Sequence, residues 1–486
     1  MAFSVTLARL GTVLGLLCLL APPAWARDGD RPRAAILLIG DGFGIQQLGL
    51  LEDYVEIVLR KKARVVELME KKESILGLLD TSPSFGLVVD SAASATAMAC
   101  GELTLNGRIA MDAKGSPLST VLERAAERGW ATGLVTSTRI THATPACFAA
   151  HVPSRVNERE IARQLVDSPV DLLLGGGFSE FLGEGRTAGE SLGAGVYGAE
   201  TRGAAGEDDL LVRARATKRN VLGTKADLET APPGDRILGL FAPSHLPYVV
   251  DRDELGCDQI PTLAEMTGAA LVRLSRRGSF FLMVEGGRID HAAHMNDAAS
   301  MVHEEVAFDE AIGTVLDFLA SYEGEAVLLV TGDHETGGFS LADSRTERSL
   351  QALSWLDRQK CSFELLESLV DRTALKESVA RHLGLELTDE EVALFDKVQD
   401  RDTEAARIFK DHLGRGPTSV LGHIIARSTP FVWNTGSHTD SLIPVYAIGP
   451  GVERLRGLHS NAVVGELLLD FVAQGSGPSP AGEAGR

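Results

Sequence analysis

Short runs of almost wholly apolar residues recur along the 486-residue chain, separated by polar turns and amphipathic stretches. These runs predict strands at residues 34–39, 85–89, 131–136, 170–174, 280–284, 326–330 and 443–448. Strands that are apolar at nearly every position are typical of a parallel sheet, because helices cover both of its faces. The pattern therefore predicts a mostly parallel sheet at the centre of the protein.

The stretches between these runs carry apolar residues at the spacing of a helix face. One set is Leu118, Val121, Leu122 and Ala125, with Pro117 before it and Gly129 after it; another is Phe308, Ile312, Val315, Leu316 and Leu319. Proline at the start of such a pattern and glycine just past it are typical helix boundaries. Strands alternating with amphipathic helices indicate an α/β fold, and we expect a three-layer α/β/α sandwich.

Two stretches break this alternation and are interpreted as insertions. Residues 183–209 are rich in glycine, alanine and glutamate, which favours a flexible surface loop. Residues 343–417 are charged, follow a helical pattern and contain no predicted strand. We expect the second stretch to form a helical cap or crown on the sandwich, and no internal repeat is evident.

The first 26 residues have the layout of a secretory signal peptide. Arg9 is their one charged residue, residues 10–21 are mostly apolar, and Ala24-Trp25-Ala26 is a small-x-small cleavage pattern. About a dozen apolar residues are too few to span a bilayer, although an N-terminal anchor or a buried helix stays open as an alternative. We expect cleavage after Ala26 and export to the periplasm or the medium, with no membrane span later in the chain.

The balance of charges limits the partners of the protein. A formal net charge of -20 leaves no basic surplus to neutralise nucleic-acid phosphates or an anionic membrane, so no nucleic-acid binding site is expected. An acidic protein can still bind a small anion where metal ions and cationic side chains reverse the field locally. Any site for an anionic substrate should therefore be rich in metals.

Four cysteines remain after the predicted signal peptide: Cys100, Cys147, Cys257 and Cys361. In an oxidising compartment four cysteines allow three pairings, and the sequence neither selects one nor excludes free thiols.

Carboxylate, hydroxyl and imidazole side chains follow the apolar runs repeatedly. They are Asp41 in LLIGDGFG, Ser91 in VVDSAASATAMACG, Thr144 in THATP, Arg155 in AHVPSR, Glu285, Asp290 and His294 in VEGGRIDHAAH, Asp333 and His334 in VTGDHETGG, and His438 in TGSHTD. The carboxyl ends of strands in an open α/β sheet form the crevice in which ligands bind. We therefore expect these residues to converge.

Each segment alone has a plainer explanation. GDG is a common turn, DSAASATA could be a small-residue helix in close packing, and Asp290 and His294 could be an ordinary pair four residues apart on one helix face. A single histidine such as His438 is more often a surface or core residue than a ligand. The joint occurrence of these separated segments favours one shared metal site.

In order and spacing, these segments resemble the alkaline phosphatase family over nearly the whole mature chain, residues 27–486. The DSAASATA and EGGRIDHAAH segments are the most specific signals. The resemblance implies an exported phosphatase that hydrolyses small phosphate monoesters through a phosphoserine intermediate, with two zinc ions and one magnesium ion. It also implies a homodimer, in which residues 343–417 shape the interface or the mouth of the active site.

The resemblance assigns a role to each matched residue. Ser91 would be the nucleophile and Arg155 would bind two phosphate oxygens. One zinc would be held by Asp290, His294 and His438, the second by Asp41, Asp333 and His334 together with Ser91, and magnesium by Asp41, Thr144 and Glu285. Cobalt could replace these ions, because such ligand sets discriminate weakly between metals.

His142 and His291 stand where some members of the family carry aspartate and lysine and others carry histidine. We expect them beside the metal ligands and not among them. An imidazole in place of a carboxylate removes negative charge near the third ion. The sequence therefore predicts weak magnesium binding and activation by added magnesium.

Two other classes of function compete with this interpretation. A nucleotide phosphodiesterase or sulfatase-like hydrolase could use the same metal core, but the presence of Ser91, Thr144, Glu285 and Arg155 together favours monoesters. A non-catalytic phosphate- or metal-binding protein should lack the nucleophile or a ligand, and neither is missing here. The sequence does not identify the physiological ester.

Overall fold

A computed structural model describes residues 31–342, 346–369, 374–399, 421–422, 424 and 429–474. Its strands are β1 (Arg33–Gly40), β2 (Ile75–Asp80), β3 (Ala131–Arg139), β4 (Leu172–Gly176), β5 (Arg219–Leu222), β6 (Arg236–Leu240), β7 (Phe280–Gly286), β8 (Glu325–Gly332), β9 (Glu335–Thr336), β10 (Ser340–Leu341), β11 (Phe431–Val432), β12 (His438–Thr439), β13 (Ile443–Ile448) and β14 (Gly457–Ser460). Ten of them form one sheet in the order β14-β2-β13-β8-β1-β7-β3-β4-β6-β5. Only β13 runs antiparallel to its neighbours in this sheet.

The helices of the described residues lie between these strands. They are α1 (Ile45–Asp53), α2 (Arg64–Met69), α3 (Ser91–Cys100), α4 (Val121–Glu127), α5 (Ala143–Ala146), α6 (Glu158–Asp167), α7 (Ala188–Leu192), α8 (Leu210–Ala216), α9 (Lys225–Thr230), α10 (Arg252–Leu255), α11 (Leu263–Ser275), α12 (Arg288–His294), α13 (Ala298–Leu319), α14 (Thr346–Leu356), α15 (Phe363–Leu369), α16 (Leu375–Leu383), α17 (Asp389–Gln399) and α18 (Ala462–Gln474). The second predicted helix face lies on α13. The first lies on α4, which begins later than Pro117 because Thr120 forms its N-terminal capping box with Glu123.

Two hydrophobic cores lie on the two faces of the sheet, as the alternation along β1 makes clear. Ala34, Ile36 and Leu38 belong to one core, and the intervening residues of β1 belong to the other. Helices α11 and α13 pack over the first face, and α3, α4 and α18 over the second. The α/β sandwich with a mostly parallel central sheet is confirmed.

One predicted strand is wrong, and four strands of the ten-stranded sheet were missed. Residues 85–88 form bends and residue 89 has no regular structure, with 84% of Phe85 and 72% of Leu87 exposed and with Gly86 at a φ of +116°. The strands β2, β5, β6 and β14 had not been predicted. Residue 77, inside β2, has to be glycine, because a Cβ there would stand 1.9 Å from the carbonyl oxygen of Leu455. A glycine in a short run hides a strand from a pattern based on side chains.

The two inserted stretches are structured where they are described. Residues 183–209 contain α7, which begins with a capping box on Thr187, and bridges from Glu184 to Gly203 and from Thr187 to Arg202. The stretch that was predicted as a flexible surface loop therefore contains a short helix and local bridges. The described parts of 343–417 are helical (α14 to α17), as predicted, while residues 343–345, 370–373 and 400–417 lie outside the described residues.

The central parallel strands end side by side. Gly40 of β1 pairs with Gly286 of β7 and with Gly332 of β8, and Thr136 of β3 pairs with Glu285 of β7. The segments that follow these strands consequently share one edge of the sheet. No helix in the described part of the chain is long and apolar enough to cross a membrane, and the predicted signal peptide lies outside it. The four cysteines within that part are free thiols.

Candidate metal centre and nucleophile

Ser91 is the first residue of α3 and is buried. Asp90 caps this helix, because its side chain accepts a hydrogen bond from the backbone N–H of Ala93. Partial positive charge at a helix N-terminus favours an anion there, so this position favours the alkoxide of the serine. The Oγ atom of Ser91 lies 3.1 Å from Nε2 of His334.

Asp290, His294 and His438 form the first ligand cluster. Asp290 and His294 lie on α12, and β12 carries His438 against Thr336 of β9. Nε2 of His294 is 3.3 Å from Oδ2 of Asp290 and 3.2 Å from Nε2 of His438, which is 3.5 Å from Oδ1 of Asp290. All three side chains thus point at one small volume.

Hydrogen bonds fix the tautomers of these two histidines. Nδ1 of His294 is 2.7 Å from the carbonyl oxygen of Gly436, and Nδ1 of His438 is 2.8 Å from that of Val89. A carbonyl only accepts, so each neutral imidazole has its proton on Nδ1 and a lone pair on Nε2. Two lone pairs facing each other across 3.2 Å repel unless a cation lies between them. Metal-ligating histidines typically show this arrangement.

A second cluster surrounds the nucleophile. Nε2 of His334 is 3.2 Å from Oδ2 of Asp333 and 3.5 Å from Oδ1 of Asp41. The hydroxyl of Thr336 donates to Asp290 and accepts from Nδ1 of His334, at 2.6 and 3.3 Å. His334 therefore presents a lone pair on Nε2 to Ser91 and to both carboxylates. Thr336 joins the first cluster to the second.

Oxygen atoms dominate a third cluster. Glu285 accepts hydrogen bonds from Thr136 and Thr138 on Oε2, whereas its Oε1 has no partner among the described residues. Both carboxylate oxygens of Asp41 and Oγ1 of Thr144 also lack hydrogen-bond partners in that part of the chain. Buried polar atoms are rarely left unpaired, so these oxygens indicate a ligand, and hard cations prefer such a set.

His142 lies closer to the third cluster than the sequence had led us to expect. One of its ring nitrogens lies within 4.8 Å of carboxylate oxygens of Asp41 and Glu285, so His142 is a candidate ligand as well as a neighbour. However, Arg155 donates to its Nε2 at 3.1 Å, which places the proton of a neutral imidazole on Nδ1. Nε2 of a neutral His142 can therefore accept a hydrogen bond from Arg155 or bind a cation, but it cannot do both in this geometry.

The pKa values reflect the concentration of buried carboxylates. Burial, and then repulsion from Asp333 and Asp290, raises the pKa of Asp41 well above its usual value, and burial also raises that of Asp333. Burial raises the pKa of Glu285 to about 7 against the hydrogen bonds from its threonines. Burial would raise the pKa of Asp290 too, but His294 and the other two histidines hold it well below its usual range. Cations would relieve the repulsion between these groups.

Arg155 stands over the nucleophile end of this centre. Its NH1 donates to Oδ2 of Asp90 at 3.1 Å, and its NH2 contacts His142. Burial would lower the pKa of Arg155, but Asp90 and Asp41 outweigh it and raise it, so the guanidinium stays charged. Each terminal nitrogen keeps a second N–H, and together they offer the two-pronged fork that phosphate oxygens accept.

The structure brings the predicted metal ligands, Ser91 and Arg155 into one centre at the carboxyl ends of the strands. His291 lies beside this centre, with its ring 5.4 Å from that of His142. The sequence had not singled out His245, whose ring is 4.4 Å from that of His291. His245 follows the missed strand β6, so predicting β6 would have revealed it. Asp90 and Thr336 were also missed, although both are neighbours of predicted site residues.

The donor atoms of this centre fit metal ions. The first two clusters offer imidazole nitrogens and carboxylates, which suit zinc, and the third offers oxygens, which suit magnesium. Metal ions would also neutralise buried atoms that the described part of the protein leaves unpaired. The fold and the centre therefore define a metal-dependent hydrolase of the α/β class.

A model of the family described as alkaline phosphatase matches residues 33–474, and the chain belongs to this family. The repressible alkaline phosphatase of Saccharomyces cerevisiae is 33% identical over 96% of this chain and 86% of its own length. Alkaline phosphatase 3 of Bacillus subtilis is 33% identical, over 90% of this chain and 89% of its own. The protein is accordingly a phosphoric monoester hydrolase.

Solved structures agree with this assignment. Thermus thermophilus alkaline phosphatase has a TM-score of 0.79 at 28% identity, covering 97% of this chain and 96% of its own. A histidine-to-aspartate variant of the alkaline phosphatase from the Antarctic bacterium TAB5 has a TM-score of 0.62 at 26% identity, covering 91% and 98%. That variant is described with magnesium bound in its M3 site.

Proposed function

We propose that this protein hydrolyses phosphate monoesters through a phosphoserine intermediate on Ser91. The observation that carries the proposal is the environment of the Ser91 oxygen. It lies at a helix N-terminus, 3.1 Å from the lone pair of His334, in a centre whose buried carboxylates lack enough donors. A serine in such a place is suited to attack an electrophile and not to support the core.

Three metal ions are proposed, two zinc and one magnesium, with cobalt as a substitute. Asp290, His294 and His438 would hold one zinc; Asp41, Asp333 and His334, with Ser91, the other; Asp41, Thr144 and Glu285 would hold magnesium. When bound, these ions would supply charge neutralisation and Lewis-acid stabilisation of the attacking and leaving oxygens. Asp41 is the residue shared by the second and third sites.

The residues of the chain account for both displacements. Ser91 Oγ would form a bond to phosphorus while the bond from phosphorus to the ester oxygen breaks, and the proton of the Ser91 hydroxyl would end on the departing oxygen, so that the alcohol leaves. Water then attacks the phosphoserine, which releases inorganic phosphate and restores Ser91. Arg155, steadied by Asp90 and His142, would hold two non-bridging oxygens through both steps.

The third site is where this chain is expected to differ from relatives that carry a carboxylate. His142 is hydrogen-bonded to Arg155 and adds no negative charge to the third site. Magnesium should therefore bind weakly, and added magnesium should increase the activity of the enzyme. The TAB5 variant that is described with magnesium in its M3 site carries an aspartate in place of a histidine, which agrees with this expectation.

A diesterase on the same metal core is the second candidate. A monoester dianion carries two negative charges on three non-bridging oxygens, whereas a diester carries one on two, so the charged fork of Arg155 together with the metal ions favours the monoester. The comparison of an aryl phosphate with its methyl ester distinguishes the two. We expect turnover of the monoester to be far greater, and the reverse order would overturn the proposal.

The central test is a Ser91→Ala variant with its metal content measured. We expect activity to fall by at least about a thousandfold while zinc per chain stays unchanged, because the other ligands of the second site remain. Wild-type protein quenched at acidic pH after reaction with labelled phosphate should carry label, and the variant should carry none. Label retained by the variant would rule out Ser91 as the nucleophile.

Export and dimerisation are also proposed. Cleavage after Ala26 predicts that mature protein recovered from the periplasm or the medium begins at Arg27. N-terminal sequencing of that protein tests this. Sedimentation of the mature protein tests the homodimer, with a single species at the mass of one chain as the contrary result.

A further inference from the structure

A cavity of about 440 Å³ opens beside the metal centre, at the same edge of the sheet. Its walls come from the loop that follows β6, from α15 of the second inserted stretch, and from Tyr197 of the first. Arg288, the first residue of α12, lies at its base. Both inserted stretches thus contribute to one partly open cavity.

Only a few side chains separate this cavity from the phosphate-binding arginine. His245 lines the cavity, and its ring is 5.5 Å from the ring of His142. His142 in turn contacts the guanidinium of Arg155 at 3.1 Å. Helix α12 carries Arg288 on the cavity and, two residues on, the metal-ligand candidate Asp290. To occupy both places, a substrate would have to extend several bonds beyond its phosphate group and past His245 and His142.

The charges around the cavity argue against an anion. Arg288 is buried, its NH2 donates to Glu364 at 3.1 Å and its NH1 contacts Nδ1 of His291 at 3.0 Å. Its guanidinium also lies 3.6 Å from the centroid of the ring of Tyr248. The positive charge of Arg288 is thus already paired with Glu364. The phosphate group of a substrate is therefore expected at the metal centre and not in the cavity.

The remaining walls are aromatic and aliphatic, with polar atoms at their margins. The aromatic residues are Tyr197, His245 and Tyr248, the aliphatic ones include Leu255 and Leu365, and Ser368 is an exposed hydroxyl. Small-molecule sites of about 300–1,000 Å³ typically combine such apolar walls with a few polar groups. A flat ring with hydroxyl or amino substituents matches both the walls and the volume.

We propose that this cavity is a subsite for the alcohol part of the substrate, and that it takes a ring-bearing alcohol such as a nucleoside. This inference rests on the proposed function, because it needs the phosphate to be bound at the metal centre. The subsite also gives the inserted stretches a role: they select among monoesters by the size and shape of the leaving alcohol.

Filling the cavity tests the proposal. Ser368→Trp places a large side chain into it from α15, at a position that is already exposed. The KM for adenosine 5′-monophosphate should rise at least about tenfold, because occupancy of an apolar pocket changes affinity by that order. The KM for ethyl phosphate and both kcat values should stay within about twofold. Adenosine should inhibit ethyl phosphate hydrolysis competitively in the wild type and much less in the variant.

Ser354→Trp is the matched control, because Ser354 is likewise an exposed serine on an inserted helix, α14, and bonds a carbonyl of its own helix. It should leave both KM values unchanged. Equal KM values for the nucleotide in all three proteins, with ethyl phosphate hydrolysed normally, would overturn the subsite while leaving the proposed function intact. Failure of the wild type to hydrolyse either ester would instead refute the proposed function.

Discussion

Two pairs of buried aspartates are held in opposite ways in this molecule. In the metal centre, both carboxylate oxygens of Asp41 and Oδ2 of Asp333 have no hydrogen-bond partners in the described residues, while Oδ1 of Asp333 accepts from the backbone N–H groups of Gly42 and His334. Asp251 and Asp297, beneath the inserted helices, are surrounded by donors: Ser362 donates to Asp251 through both its N–H and its hydroxyl, at 2.6 Å each. Burial raises the pKa of all four aspartates, so burial alone does not distinguish a metal ligand from a structural anchor.

The two pairs differ in the groups that surround their carboxylate oxygens. Asp297 accepts from the side chain of Gln359 at 2.8 Å and from the backbone N–H of Phe363 at 2.9 Å, so it anchors the start of α15. The unpaired oxygens of the metal centre, both of Asp41 and Oδ2 of Asp333, face Nε2 of His334 and other carboxylates instead. A buried acid with protein donors is an anchor, and one that faces other acceptors is a site for a cation.

The largest effect is expected at Asp41, because two of the three clusters share it. Asp41→Ala should reduce kcat/KM by about a thousandfold or more and lower the bound metal at two sites, since a metal ion contributes several kcal/mol to the stabilised charge. Metal analysis after dialysis, alongside kinetics, provides the measurement. An Asp41→Ala protein that keeps its full metal content would show that Asp41 is not a metal ligand, and it would contradict the distinction between the two pairs of aspartates.

A smaller effect is expected from Thr336, which donates to Asp290 and accepts from His334. Thr336→Val keeps the shape but removes both hydrogen bonds, so His334 loses the group that orients it. Such partners of ligands change metal affinity or activity by about 10- to 100-fold. Titration of the metal-free protein with zinc measures this. Thr439→Val, at another threonine of the same small sheet, is the control.

Replacing His142 with an acid tests the same comparison in the opposite way, because it adds a carboxylate to the metal centre instead of removing one. His142→Asp brings a negative charge toward the third cluster, and magnesium affinity should rise by about tenfold or more. Activation by added magnesium should then be lost, because the site is already filled. His142→Asn, which adds no charge, should not gain affinity. Full activity of chelator-washed, zinc-only wild-type protein would contradict the expected activation by magnesium.

The sequence could predict the central sheet and the positions of the ligands because both follow from local patterns. Buried parallel strands are apolar throughout, and ligands follow their carboxyl ends. Pairing between distant strands is not local. Residues 85–89 are as apolar as β2, yet only β2 has partners, β13 and β14. The same limit applies to Asp251, whose donor Ser362 is 111 residues away.

Asp251 provides the last and smallest effect, on stability instead of activity. Burial raises its pKa to about 6 from 3.8. Between these values the folded protein keeps a proton that the unfolded chain releases, so stability falls as pH rises from about 4 to 6 and this loss is complete above the folded pKa. The full shift corresponds to no more than about 3 kcal/mol.

Asp251→Asn carries no titrating proton and should lack this pH dependence. Chelator-washed wild type and variant, unfolded in urea at several pH values with tryptophan fluorescence as the probe, should differ in the slope of stability against pH across that window. Parallel profiles would show that Asp251 does not titrate there. Activity at neutral pH should stay within a few-fold of the wild type, because an anchoring acid can be replaced by an amide that keeps its acceptor, whereas a metal-ligating acid cannot. A loss as large as that expected for Asp41→Ala would mean that the anchor and the metal site depend on one another.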